Sequence, residues 1–158
     1  MSPDVQLDST AGRRIRLSDH RGQVLVLFYE AKGHNQTNEG LKSECAKLVE
    51  QGALGGRFDV LGVADLKGLG FGPVKAVVKR AVTAVAKGYG VSIAMDFTGV
   101  LQDRLGLEGG TSTVAVLDPS GELVFQRSGA LDAHDIERFY TIVGGCLGRP
   151  DFALPTAA

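Results

Sequence analysis

The chain has 158 residues, a length that fits one globular domain. Hydrophobic residues make up 44% and charged residues 22%, which excludes a disordered or fibrous chain, and the net charge of −1 excludes a strongly basic nucleic-acid binder. The two cysteines, Cys45 and Cys146, are too few for the disulfide framework of a small secreted scaffold, and with three histidines they are too few for a cysteine-rich structural zinc site.

No targeting or membrane-spanning pattern stands out in the sequence. The first residues lack the basic and apolar regions of a signal peptide. The longest apolar run, Val24 to Tyr29, has the length of a strand and falls far short of the ~20 residues that cross a bilayer. We therefore expect a cytoplasmic protein without a membrane span.

In the first third of the chain, a short alternating segment at 15–17 leads into a turn cluster and then into the apolar run 24–29. That run is typical of a central strand buried on both faces. A polar loop at 32–38 precedes a helix, and Gly52 is suited to end it. The apolar stripe of this helix consists of Leu41, Cys45, Leu48 and Val49.

The remaining predicted elements are, in order, a buried strand at 58–66, a helix at 73–87, a strand at 92–95, a short helix within 96–106, a hairpin of strands at 113–117 and 123–125, and a last helix capped by Asp132. Neither a repeat nor a second domain is visible. The order predicts one domain over residues 1–148 and a C-terminal tail over 149–158.

The predicted helix at 73–87 is amphipathic and basic. Its apolar face is formed by Val74, Val77, Val78, Ala81, Val82 and Val85. Lys75, Lys79 and Lys87 lie on the other side, Arg80 flanks them, and no acidic residue occurs between Asp65 and Asp96. Such a helix suits anionic lipid or nucleic acid, but we favour a solvated face on a helix docked through its valines, because no aromatic residues interleave the basic ones.

Several segments resemble the thioredoxin-like superfamily, in the branch of alkyl hydroperoxide reductases, thiol-specific antioxidants and membrane-anchored thiol reductases. The segment 17–23 followed by the strand 24–29 is similar to the entry motif of that branch, and residues 89–91, 106–107 and 116–124 are similar to its later strand and hairpin motifs. Residues 112–118 with 128–131 are most similar to the YtfJ-type proteins. The resemblance implies an α/β fold, a mixed central β-sheet flanked by helices on both faces.

The residues that carry thiol chemistry in this superfamily are absent from the matching positions. The resemblance places the Cys-x-x-Cys motif on Gly33 to Gln36, and it places the proline, threonine and peroxidatic cysteine of peroxiredoxins on Glu30, His34 and Thr37. The cis-proline that faces the thiols falls on Ser112, or on Thr111 if the frame slips by one. Because disulfide exchange requires a thiolate, this chemistry is not expected at these positions.

We therefore expect a redox-inactive binding or interaction module, without cofactor or metal, that recognises an unidentified protein or small molecule and no nucleic acid. The expected contact surface is the former active-site edge: Lys32, Gly33, His34, Asn35, Gln36, Thr37, Thr111 and Ser112. A polar loop before a helix suits an anion or a peptide carbonyl. The alternative is a solvated loop capped by Thr37 or Asn38.

Three other functions remain open from the residues alone. One is a peroxidase or disulfide oxidoreductase that uses Cys45 or Cys146, although both cysteines fall on apolar helix stripes and are expected to be core residues. Another is nucleotide or anion binding at the glycines of 68–72, whose spacing differs from the dinucleotide motif. The third is metal binding by His34 with Glu30 or Asp65, which lacks ligand spacing.

Overall fold

The computed structural model of the chain describes residues 4–52 and 54–148. The predicted tail at 149–158 lies outside these residues. The strands are β1 (Gln6–Ser9), β2 (Ile15–Arg16), β3 (Val24–Ala31), β4 (Phe58–Asp65), β5 (Ala94–Asp96), β6 (Ser112–Leu117) and β7 (Leu123–Ser128). The helices are α1 (Glu39–Glu50), α2 (Gly72–Tyr89), α3 (Val100–Leu105) and α4 (Ala133–Cys146), and a 3₁₀ turn covers Leu17–His20.

The seven strands form one mixed sheet in the order β2-β1-β5-β4-β3-β6-β7. Strands β3, β4 and β5 are parallel, whereas β6 pairs antiparallel with both β3 and β7, and β1 pairs antiparallel with β5 and β2. The apolar run that the sequence assigned to a buried central strand is β3, which lies between β4 and β6. Its carboxyl-terminal end therefore lies in the middle of the sheet, between the end of β4 and the beginning of β6.

Side chains of β3 alternate between two cores, because successive residues of a strand point to opposite faces of the sheet. Leu25, Leu27 and Tyr29 pack in a cluster that includes residues of α3. Val24, Val26 and Phe28 pack in a second cluster with residues of α1 and α4. Helices therefore cover both faces, which confirms the predicted α/β class.

Strand β1 was not predicted, since the segment that forms it reads as polar. Only Leu7 and Ser9 of its four residues are buried. The strand is stabilised by pairing with β5 and β2 rather than by a long apolar run. Its position extends the sheet beyond β5.

The predicted apolar face of α2 is divided in the structure, which corrects the expectation of one docked face. Val74, Val78 and Val82 are half-buried, whereas Val77 and Val85 are exposed. The predicted face covers two rows of residues spaced four apart, and the helix is turned so that one row faces the protein and the other faces away. Ala86 is the one residue of α2 that is fully buried.

None of the helices in the described part of the chain combines the length and apolar character that crossing a membrane requires.

Candidate functional site

The predicted edge lies where β3 ends and the loop 32–38 begins. In the sheet, Glu30 of β3 is opposite Ser112 of β6. One residue further, the Ala31 amide donates a hydrogen bond to the Thr111 carbonyl at 2.9 Å. The structure thus brings the start of the loop beside Thr111 and Ser112, two segments that are about eighty residues apart in sequence.

The loop is a series of turns that precede α1. The His34 amide donates to the Ala31 carbonyl at 3.0 Å, and the Thr37 amide donates to the His34 carbonyl at 3.2 Å. Lys32, Gly33, Asn35, Gln36 and Thr37 are exposed and His34 is half-buried. The positions on which the resemblance places the Cys-x-x-Cys motif, Gly33 to Gln36, therefore lie in turns ahead of α1. The amides of His34 and Thr37 are used within the loop and are not free for an anion.

A charged network fills the space behind the loop. Glu30 has a side chain that is 9% exposed, and Lys42 of α1 pairs with its carboxylate. The Ser112 hydroxyl donates to Glu30 Oε2 at 2.9 Å. Burial raises the pKa of Glu30 above its ordinary value of 4.5, while Lys42 and Ser112 act in the opposite direction. Lys42 Nζ also donates to the Asn35 carbonyl at 2.7 Å, which fixes the loop to this network.

Asn38 connects three parts of the fold at the beginning of α1. Its Nδ2 donates to the Ser112 hydroxyl and to the Gly129 carbonyl, both at 3.1 Å, and its Oδ1 accepts from the Leu131 amide at 3.0 Å. The side chain makes no capping hydrogen bond to α1. The expected cap is therefore absent at Asn38, because the amide is turned inward and used for tertiary contacts.

A second polar network lies on the opposite face of the sheet, beneath α3. The Tyr29 hydroxyl donates to Asp96 Oδ2 at 2.9 Å, and Gln102 Nε2 donates to Tyr29 Oη at 3.0 Å and to Asp65 Oδ1 at 2.9 Å. Burial holds the pKa of the Tyr29 hydroxyl well above its usual range. Asp96 also accepts the amides of the first residues of α3.

This second network also fixes the segment that leads into Thr111 and Ser112 of the predicted edge. Asp65 Oδ2 accepts a hydrogen bond from the Gly110 amide at 2.8 Å. Gly110 directly precedes Thr111, whose carbonyl is bound to Ala31. The segment that enters β6 is thus fixed by Asp65 on one side and by β3 on the other.

Cys45 lies in the core cluster shared by α1 and α4, Cys146 packs against that cluster, and neither lies on the predicted edge. Cys45 is 0% exposed, and burial, with a smaller contribution from Glu44, raises the pKa of its thiol to about 12. Cys146 is partly buried, and burial raises the pKa of its thiol as well. Both thiols are free. The expectation that they are core residues is met for Cys45 and partly for Cys146.

The glycines of 68–72 connect β4 to α2, and each of the outer two adopts a positive φ (+86° at Gly68 and +47° at Gly72). Gly70 is in close contact with a neighbour: a Cβ at this position would lie 3.0 Å from the Cβ of Phe97. Turn geometry and packing thus account for these residues without a ligand.

Potential metal ligands meet at the beginning of α4 and not at the predicted edge. Within the described residues, Asp132, His134 and Asp135 offer ligand atoms that lie within 4.8 Å of one another. Their carboxylates already have partners: Asp132 Oδ1 accepts from the Asp135 amide at 2.8 Å, and Asp135 pairs with Arg127 at 3.3 Å. Asp132 and Asp135 form the capping box of α4, where Asp132 caps the helix as predicted.

The sequence did not indicate Asn38 and Lys42 as contributors to the edge. It offered His34 with Glu30 or Asp65 as possible metal ligands, and the structure places Glu30 and Asp65 in two different networks. A charged residue at the end of the otherwise apolar strand β3 was the available signal for Glu30. Its partner Lys42 lies on α1 and had no comparable signal. The pairing depends on how α1 packs on the sheet.

Comparisons with known proteins give a fold but no family. No protein-family model matches the sequence, and no curated protein matches it. Among solved structures, a secreted thiol-disulfide isomerase from Corynebacterium glutamicum has a TM-score of 0.68 at 18% identity, with coverage of 94% of this chain and 86% of that one. The pneumococcal exposed lipoprotein thioredoxin from Streptococcus pneumoniae has a TM-score of 0.64 at 22% identity, covering 87% and 97%.

A third structure, a thiol:disulfide interchange protein of the thioredoxin family from Chlorobium tepidum, has a TM-score of 0.62 at 18% identity, covering 93% and 95% of the two chains. The expected thioredoxin-like fold is thereby confirmed. At sequence identities below 25%, the similarity supports a shared fold and nothing further.

Proposed function

We propose that this protein is a redox-inactive member of the thioredoxin-like fold, and that its loop edge (residues 32–37 with Thr111 and Ser112) binds a protein or small-molecule partner. The observation that carries the proposal is the separation of the thiols from this edge. The edge contains no cysteine, and Cys45 is enclosed in the core between α1 and the sheet. A ligand bound at this edge would therefore meet no cysteine thiol of the edge itself.

The arrangement of the edge supports binding in two ways. The groups behind it satisfy one another, since Glu30, Lys42, Ser112 and Asn38 form one connected network. The loop in front is exposed and is fixed to that network through Asn35. A preorganised, polar loop loses little conformational entropy on binding, and amide and hydroxyl groups suit a ligand that both donates and accepts hydrogen bonds, such as a peptide main chain.

The alternative is a thiol-dependent peroxidase or disulfide oxidoreductase that uses Cys45 or Cys146, and the similar structures include a thiol-disulfide isomerase and a thiol:disulfide interchange protein. Such an enzyme needs a thiolate near neutral pH. Burial raises the pKa of both thiols here, which reduces the fraction of thiolate at neutral pH. This physical chemistry favours the binding role over the enzymatic one.

Thiol titration of the freshly reduced native protein with a chromogenic disulfide, followed by a peroxide-consumption assay, separates the two functions. We expect Cys45 to react only after denaturation, Cys146 to react slowly in the native state, and peroxide to persist. The Cys45→Ala and Cys146→Ala variants assign each phase. Rapid reaction of either thiol in the folded protein, with turnover of peroxide or disulfide, would show that the protein is a thiol enzyme.

The binding role is tested with peptides selected on the immobilised protein from a displayed random library. Gln36→Lys, on the loop edge, is expected to weaken binding of the selected peptides by about tenfold, a loss typical of a disturbed interface. Gln51→Lys is the matched control, because Gln51 is also exposed but lies at the other end of α1. Equal binding by both variants, or selection of no peptide, contradicts the assigned surface.

A further inference from the structure

His20 lies at the amino-terminal end of the central strands, away from the loop edge. It closes the 3₁₀ turn Leu17–His20 just before β3 begins, and its side chain is 17% exposed. Its Nδ1 lies 3.4 Å from Asp59 Oδ2, near the beginning of β4, and 3.2 Å from Gln23 Oε1. The ring therefore connects the entries of two neighbouring strands that are far apart in sequence.

Both oxygen atoms beside His20 Nδ1 are hydrogen-bond acceptors. The Asp59 carboxylate accepts only, and its other oxygen, Oδ1, is held by the Val60 amide at 2.8 Å. The Gln23 side chain is oriented by its Nε2, which donates to the Gly56 carbonyl at 2.8 Å, so Gln23 Oε1 faces the ring. Because an acceptor needs a donor opposite it, this geometry places a hydrogen on Nδ1.

The second ring nitrogen, Nε2, is where His20 exchanges a proton with water. Within the described residues Nε2 has no hydrogen-bond partner, and no side-chain nitrogen that lacks a partner is buried there. Nε2 therefore takes up or releases its proton while Nδ1 keeps its contact with Asp59. Uptake of the proton converts an ordinary hydrogen bond into a charge-assisted one, which is the stronger interaction.

The segments around His20 carry charges of both signs, and Asp59 alone among them contacts the ring within the described residues. Asp19, on the turn itself, acts on the ring through its charge. Arg57 and Asp118 are directed elsewhere, since Arg57 donates to the Leu147 carbonyl and Asp118 accepts amides of its own turn. The other charged residues on these segments are Asp4, Arg16, Arg21 and Glu122.

We propose that His20 is a pH-responsive clasp, which holds the 3₁₀ turn against the beginning of β4 when its imidazole is protonated and loosens when the imidazole is neutral. The Asp59 carboxylate raises the pKa of His20 above its ordinary value of 6.5, while burial acts in the opposite direction. The stability that the clasp contributes is therefore fully present below pH 6.5 and is lost as the pH rises through the folded value.

Loosening of the clasp acts on a defined segment of the chain. Leu17 is buried in the core cluster that includes residues of α3, whereas Arg21, just after the turn, is exposed. Backbone hydrogen bonds also hold the segment: the Leu17 amide donates to the Val5 carbonyl at 3.0 Å, and the Gly22 amide donates to the Pro119 carbonyl at 2.8 Å. These backbone groups do not titrate near neutral pH, so a pH-dependent opening of the segment depends on His20.

Titration of the histidine rings by NMR tests the clasp in the whole protein. The signal of His20 is identified by its absence from His20→Gln. We expect its midpoint to lie above pH 6.5 in the wild type and to fall in Asp59→Asn, which keeps the shape of the side chain but removes its charge. Asp19→Asn is the matched control, because it makes the same change at an exposed position that does not contact the ring, and it should lower the midpoint less.

Limited proteolysis with trypsin measures whether the turn opens. A reference peptide with the sequence of residues 17–25 is cleaved in the same tube, so the ratio of the two cleavage rates after Arg21 cancels the pH dependence of the protease. We expect the wild-type ratio to rise about fivefold from about pH 5.5 to about pH 8.5, the effect of removing the charge from one hydrogen bond. For His20→Gln, with its own matching peptide, the ratio should change little.

The proposal is overturned if the wild-type midpoint of His20 lies at or below pH 6.5, or if Asp19→Asn lowers that midpoint as much as Asp59→Asn does. A wild-type cleavage ratio that is independent of pH, or an equal rise in His20→Gln, overturns it as well. The loop edge lies at the other end of β3 and carries none of these substitutions, so peptide binding there is measured separately and its success or failure has no bearing on this result.

Discussion

At the scale of single residues, the pair formed by Glu30 and Lys42 determines what the loop edge can present. Glu30 is almost enclosed, and its carboxylate pairs with Lys42 and accepts a hydrogen bond from the Ser112 hydroxyl. Because these groups satisfy one another, the exposed loop in front carries the polarity that a ligand meets. The edge is thus hydrogen-bonding in character rather than acidic.

The pH dependence of stability is expected to change when Lys42 is removed. The pKa of Glu30 is raised in the folded protein, so its contribution to stability is fully present below its ordinary pKa of 4.5 and is lost as the pH rises through the folded value. Lys42→Met raises that folded pKa further. Relative to the wild type, we expect the part of the loss in unfolding free energy that depends on Glu30 to be small below pH 4.5. It should reach about 2 kcal/mol near neutral pH.

Urea unfolding of Lys42→Met across this pH range measures the deficit. The double variant Glu30→Gln with Lys42→Met is the control, because it removes the carboxylate and should lose the pH-dependent part. A deficit that is equal at acid and neutral pH would show that Lys42 stabilises the protein through its contact with the Asn35 carbonyl and not through Glu30.

At the scale of elements, Asn38 fastens the beginning of α1 to β6 and to the segment between β7 and α4. One buried amide therefore satisfies groups from three elements that are far apart in sequence. The sequence allowed only the local expectation of a helix cap, since a cap depends on neighbouring residues. The tertiary contacts replaced that local role.

Asn38→Ala is expected to destabilise the protein by about 2 kcal/mol, because it leaves the Leu131 amide and the Gly129 carbonyl without this partner. Thr37→Ala, at the exposed position just before Asn38, should change the free energy of unfolding by less than about 0.5 kcal/mol. Chemical denaturation of both variants decides the matter. Similar effects of the two substitutions would mean that Asn38 acts only as an ordinary residue of the loop.

At the scale of the whole molecule, the stability of the fold is concentrated in the central strands. β3 and β6 are buried along most of their length, and the two core clusters lie on either side of them. α2 is outside both clusters. A region with few buried apolar contacts opens locally at lower free energy than the core does.

Native-state hydrogen exchange is expected to show this difference. The amides of α2 should exchange through local opening at a free energy below that of global unfolding, while those of β3 exchange only with global unfolding. The amides of α4, a helix that does join a core cluster, provide the comparison. Equal protection of α2 and α4 would contradict the expected local opening of α2.

The sequence by itself determined the order of the elements that follow β1, the buried central strand and the cap of α4. These features depend on neighbouring residues, on periodicity or on residue identity, and all of them are local. The thioredoxin-like fold followed from the order of its motifs and was confirmed by structural similarity.

Only the tertiary structure decided which polar groups meet. Lys42 and Ser112 reach Glu30 from another helix and another strand, and Asn38 turns inward because its partners lie some ninety residues away. The orientation of α2 was likewise undetermined, because its apolar residues span two rows and either row satisfies the periodicity. In the folded protein, the row with Val78 and Val82 packs against the rest of the molecule, and the row with Val77 and Val85 is exposed.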